Sequence, residues 1–139
     1  MRINVDCMRD VLLYIEENLT VTLSDDEKAV ECNSLDVFSV SEALSNYCRE
    51  DVWYSIKMLA ECDYIDVNGI DTQDYFALMS IDAMTYAGHK FIESIRPQTI
   101  WGKTKSIISK IGSHTLTFVE DTAQKVAIEA AQALISNQL

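Results

Sequence analysis

The chain has 139 residues, 48% of them hydrophobic, and a formal net charge of -11. That length suits one domain, or a small domain with an appended helical segment, and that much apolar material excludes a disordered chain. The charge is uneven: residues 1–63 hold 14 acids and 5 bases, residues 64–96 hold 5 and 2, and residues 97–139 hold 3 and 4. The acidic field therefore lies in the N-terminal half, where it opposes nucleic acid and anionic membranes.

Residues 6–19 predict a helix. Met8, Val11, Leu12, Ile15 and Leu19 share one face, Arg9, Asp10, Glu16 and Glu17 take the other, and Asp6 is the expected N-cap. Val21 and Leu23 alternate with polar residues as a short strand does, and Asp25, Asp26 and Glu27 read as a solvated loop. Residues 29–38 fit an edge strand or irregular chain. A short helix is expected at 40–47, capped by Ser39 or Ser41, with Ala43, Leu44 and Tyr47 facing inward. The next helix spans 50–62, with Val52, Ile56 and Leu59 buried and Trp53 and Ala60 flanking. Asp51, Tyr54, Ser55, Met58 and Glu61 or Cys62 fall on its outer side. Two helices joined by a tight connection make a helix-turn-helix outline.

Tyr64 to Val67 reads as a strand and Tyr75 to Ile81 as its return, forming a candidate wing. Asn68-Gly69 supplies the hairpin signal, and Asp71 to Asp74 can widen the loop. A helix at 82–96 is expected, capped by Asp82, with Ala83, Tyr86, Ala87, Phe91, Ile92 and Ile95 as its apolar positions. Pro97 marks a break and can open the next helix, at 98–111, which Gly112-Ser113 ends. The last helix, about 115–136, carries Val119, Ala123, Val126, Ala130, Ala133 and Asn137 at alternating spacings of four and three. That seam either packs on its own domain or joins two chains.

Chemistry is sparse. Gly69, Gly88, Gly102 and Gly112 form no phosphate-cradling loop, and nucleophile-elbow, zincin and EF-hand spacings are missing. His89 and His114 stand apart in sequence and read as structural or surface residues. The adjacent acids Glu16-Glu17, Asp25-Asp26, Glu50-Asp51 and Glu120-Asp121 read as solvated faces, because acid–base catalysis needs carboxylates converging in a shielded pocket. Cys7, Cys32, Cys48 and Cys62 form no C-x-x-C pair and are expected as buried or half-buried free thiols in a reducing cytoplasm. The expectation is a non-enzymatic protein with no catalytic residue, cofactor or metal. Met1-Arg2-Ile3-Asn4-Val5-Asp6 does not read as a signal peptide, and no apolar run reaches membrane-spanning length, so a soluble cytoplasmic protein with no membrane contact is expected.

Three blocks resemble a known family: R-D-V-L-L-Y-I-E-E-N at 9–18, V-W-Y-S-I-K-M-L-A-E-C-D-Y-I-D at 52–66, and M-T-Y-A-G-H-K-F-I-E-S-I-R-P-Q-T-I-W at 84–101. In that order they are similar to the phage and prophage domain of unknown function 2513, over roughly residues 5–115. The chain departs from the family pattern at Ser55, where histidine is usual, and at Cys62-Asp63, where alanine-glycine is usual. The resemblance implies a winged helix and a phage or mobile-element origin, hence a bacterial host cell. It carries over no activity and no catalytic residues.

The expected architecture is mainly α with minor β: a winged helix-turn-helix over residues 1–96, then a two-helix extension over 97–139 that can serve as a dimerisation element. Two functions are expected from it. The first is a regulatory protein acting through protein–protein contacts on a host factor, repressor or defence component, with Glu50, Asp51, Tyr54, Ser55, Met58 and Glu61 facing the partner. Its acidic half would meet a basic, nucleic-acid-binding surface, and the chain would be a homodimer. The alternative is a DNA-binding transcriptional regulator, with Lys57, Lys90, Lys103 and Lys105 on phosphate.

Overall fold

The computed structural model describes residues 1–71 and 76–138. In chain order they form α1 (Val5–Asn18), β1 (Thr20–Leu23), β2 (Val30–Asn33), β3 (Leu35–Asp36), α2 (Val37–Ala43), α3 (Arg49–Glu61), β4 (Ile65–Asp71), β5 (Phe76–Met84), α4 (Tyr86–Ile95), α5 (Gln98–Ile111) and α6 (Leu116–Gln138). The fold is mainly α with minor β. β1 and β2 make a two-stranded antiparallel ribbon, and a second antiparallel sheet has the order β3-β5-β4.

The predicted apolar stripes meet in one core. Met8, Val11, Leu12 and Ile15 of α1 join Val52, Ile56 and Leu59 of α3, Ile65 and Ile81 of the sheet, and Phe91, Ile92 and Ile95 of α4. Trp101 and Ile108 of α5 and Leu116, Val119 and Ala123 of α6 belong to the same cluster. Arg9, read from its charge onto the polar face of α1, is instead buried. Its guanidinium donates to the carbonyls of Ile95 (2.8 Å) and Arg96 (2.7 Å) and stands 5.6 Å from the Trp101 ring. The last carbonyls of a helix lack intrahelical donors, so Arg9 caps α4 and holds it to α1.

Several boundaries differ from the sequence reading, each for a local reason. Asn4, not Asp6, caps α1 by accepting from the Cys7 amide at 3.1 Å. Asp6 instead accepts from the Trp101 indole at 3.0 Å and pairs with Lys105 at 3.1 Å. The ambiguous stretch 29–38 becomes β2, β3 and the start of α2. Asp36 caps α2 three residues early through the Phe38 amide (2.7 Å), which leaves Ser41 buried and Ala43 exposed. Leu44 and Tyr47 follow the helix and are half-buried.

Asn68 and Gly69 are not a turn. They lie within β4 opposite Ser80 and Leu78, where the register shifts. Glycine inside a strand marks such an irregularity as readily as it marks a hairpin tip. Most of the proposed widening at Asp71 to Asp74, and the start of the return strand at Tyr75, lie outside the described residues. β5 then continues through Asp82, Ala83 and Met84, where a helix was expected. Asp82 accepts from the Ser34 and Ser80 hydroxyls, and Thr85 caps α4 by accepting from the Gly88 amide. The later start turns Tyr86 and Ala87 to solvent, while Phe91, Ile92 and Ile95 stay buried. Pro97 is the N-cap of α5 rather than its first residue, and left-handed Gly112 (φ 83°) ends it.

The end of α3 closes on a left-handed residue. The Asp63 amide donates to the Ala60 carbonyl and the Tyr64 amide to the Leu59 carbonyl, both at 3.0 Å, which is the Schellman arrangement. It requires a left-handed residue, and Asp63 takes that conformation with φ 60°. Tyr64 then leads into β4, and its hydroxyl donates to the Glu120 carboxylate of α6. Burial first, then the bond to Glu120 and its charge, raise the Tyr64 pKa. Tyr47, whose hydroxyl donates to Asp10 at 2.6 Å, is raised in the same way by burial and then by Asp10.

Candidate interaction surface

α3 presents its predicted buried stripe to α1, and this sets what faces outward. Glu50 and Glu61 are exposed, and Asp51, Tyr54, Lys57 and Met58 are half-buried. Ser55 does not belong with them: it is 1% exposed, and its hydroxyl hydrogen-bonds the buried Cys7 thiol. A serine is small enough to sit where two helices approach closely, which polarity alone does not reveal. Burial still pushes the Cys7 thiol up, against the pull of that bond. Asp51 accepts from the Asn4 side chain at 3.3 Å, and Glu61 holds Lys57 at 2.7 Å. The outward face of α3 is thus acidic, with Tyr54 and Met58 between the charges.

At the N-terminal end of α3 the structure adds a cluster that hydropathy did not single out. Asp36 starts α2 so that Phe38 falls in its first turn, 52% exposed. The Phe38 and Trp53 rings pack edge to face with centroids 5.3 Å apart, and the Arg49 guanidinium lies 5.8 Å from the Phe38 ring. Among the described residues no carboxylate pairs with Arg49, and the buried Trp53 Nε1 has no acceptor. Arg49 lines two neighbouring depressions: one of about 370 Å³ with Phe38, Ser41, Glu42, Ser45, Tyr47 and Cys48, and one of about 260 Å³ with Glu50 and Trp53. No local pattern announces the cluster: Phe38 stands two residues beyond the Asp36 cap and is separated from Arg49 and Trp53 by the α2–α3 connection.

A second uncovered surface is the β1–β2 ribbon. Val21 pairs with Cys32 and Leu23 with Val30, so these four side chains share one face. All four residues are exposed, with Asp25, Asp26, Glu27 and Glu31 also exposed along the ribbon. Alternation predicts this strand correctly but does not say whether anything covers its apolar side.

The four lysines proposed for phosphate contact lie on three helices, α3, α4 and α5. Lys57 is held on α3, Lys90 lies 5.7 Å from the Tyr86 ring on α4, and Lys105 is paired with Asp6 of α1. Lys103 is exposed on α5, but residues two apart on a helix do not share a face, so Lys103 and Lys105 diverge. His89 is exposed on α4 and His114 half-buried after α5. Among the described residues no group of three His, Cys, Asp or Glu side chains is placed to hold a metal ion. Cys7 is buried as expected, but Cys32, Cys48 and Cys62 are exposed free thiols. No described helix is long and apolar enough to cross a membrane.

These features define a mainly helical protein with small antiparallel sheets and uncovered aromatic and aliphatic surface. Residues 2–114 match the family described as "Hypothetical protein (DUF2513)", and the chain belongs to it. The match contains all three sequence blocks that carried the resemblance. No curated protein and no solved structure matches the chain.

Proposed function

We propose that this is a non-enzymatic regulatory protein of phage or prophage type, built on a winged helix and acting in the bacterial cytoplasm through protein–protein contacts. With the β1–β2 ribbon inserted after α1, the remaining order α1, β3, α2, α3, β4, β5, in which β3 joins the β4–β5 pair, is the order a winged helix uses and supports that reading. One observation carries the choice of a protein partner: exposed Phe38, Arg49 stacked near its ring and paired with no described carboxylate, and the Trp53 indole, with no acceptor among the described residues, stand together beside an acidic α3. Aromatic and arginine side chains in a desolvated cluster carry most of the energy of protein interfaces. Phosphate would meet Glu50, Asp51 and Glu61 on the same helix. The net charge of the first 63 residues favours a partner with a basic surface.

The test is a capture experiment from nuclease-treated extract of the native host, using the wild type and a Phe38→Ala/Arg49→Ala variant as bait. A partner held by the wild type should be lost by the variant, since truncating such residues costs about 2 kcal/mol or more, roughly thirtyfold in affinity. Retention of every partner by the variant refutes the assigned surface. Tight binding of labelled duplex DNA that weakens steeply with salt would replace this reading by the DNA-binding regulator, in which Lys57, Lys90, Lys103 and Lys105 contact phosphate.

A further inference from the structure

We infer that the end of α6 pairs with the α6 of a second copy of this chain, the two helices lying antiparallel along Ile128, Ala131 and Ile135. The seam singled out by spacing is not the surface that pairs. Its first members, Val119, Ala123 and Val126, are buried against the chain's own core. Further along, Val126, Ala130 and Ala133 border a groove of about 340 Å³ that Lys103 and Ile107 of α5 line from the other side. On the opposite side of the helix, Ile128 and Ile135 are 56% and 59% exposed, and Leu134 beside them is 63% exposed. Ile128, Ala131 and Ile135 step by three and four, so they form one stripe. Every residue from Ala131 to Gln138 is exposed, and Glu129 is the one charged residue between Ala127 and Gln138.

Two further observations favour a second copy as the occupant. The chain exposes 8598 Å² for a mass of 15.7 kDa, whereas a compact monomer of that mass exposes about 7300 Å². The end of α6 contributes to that excess, with every residue from Ala131 to Gln138 uncovered. Charge then decides which uncovered surface can meet itself. Two copies at net -11 repel each other, most strongly through residues 1–63, which include the β1–β2 ribbon. Residues 97–139, with 3 acids against 4 bases, are the part of the chain where like copies approach without that opposition. An antiparallel pair centred on Ala131 also directs the two acidic halves away from each other, as a parallel pair would not. This pairing is independent of what docks on α3.

Sedimentation equilibrium of the full chain at about 100 µM tests it. The wild type should have twice the 15.7 kDa chain mass. Ile128→Glu and Ile135→Glu should each sediment as the monomer while keeping the wild-type helical circular dichroism. Glu31→Arg, on the exposed ribbon, should remain dimeric. A monomeric wild type overturns the inference. So does a dimer that persists in both α6 variants, which places the contact elsewhere, or one that Glu31→Arg alone dissolves.

Discussion

Replacing Gly88 by alanine sets helix propensity against packing, and the two predict opposite signs. Gly88 lies in the first turn of α4, where alanine is favoured over glycine by up to about 1 kcal/mol. A Cβ built there would lie 2.1 Å from the Tyr64 carbonyl oxygen, 3.0 Å from its carbon and 2.9 Å from Met84 Cγ. The obstacle is mostly backbone, and that backbone is committed: the Tyr64 carbonyl accepts from the Thr85 amide at 3.0 Å. Normal contact requires α4 to withdraw by about 1 Å, an overpacking strain of roughly 2–3 kcal/mol. Weakening the Thr85 bond adds about 1 kcal/mol. Less the propensity gain, Gly88→Ala should destabilise by about 2–3 kcal/mol, a fall in Tm of roughly 7–10 °C for a chain of this length. Gly102 is the internal control. It is exposed in α5, and a Cβ added there would meet nothing within 4 Å, so Gly102→Ala should stabilise by up to about 1 kcal/mol. Urea unfolding followed by circular dichroism reads both. A higher midpoint for Gly88→Ala would refute the close approach of α4 to the Tyr64 backbone.

Two further predictions concern the same end of α3. Asp63→Gly relieves the left-handed φ of 60° and should raise stability by about 1 kcal/mol in the same urea assay; a loss of stability would contradict the left-handed cap. Tyr64 and Tyr47 both have raised pKa values, so the folded chain keeps their protons after the unfolded chain has released them. Their contribution is complete below the unfolded tyrosine value of about 10 and declines as pH rises above it. Tyr64→Phe should therefore flatten the fall in urea midpoint on the alkaline side, and an unchanged slope would remove Tyr64 from that account.

The residues alone determined the helix content, the buried stripes of α1 and α3, the apolar side of the β1 strand and the family. Each rests on a period of two or 3.6 residues, or on a motif, that the chain carries locally. Caps were less legible, because Asp6, Asp36, Ser39, Ser41 and Asp82 are all chemically able to cap a helix. Which of them does so depends on where the neighbouring strand stops. Asn68-Gly69 was misleading for the same reason: β5 pairs through it and extends to Met84. Only the tertiary structure placed Ser55 inside, turned Arg9 inward to cap α4, and brought Phe38 against Trp53 and Arg49. It also divided the α6 seam into a buried half and an uncovered one. Period tells which residues share a face, but what covers that face is settled by segments distant in sequence, and an uncovered face is what a partner can recognise.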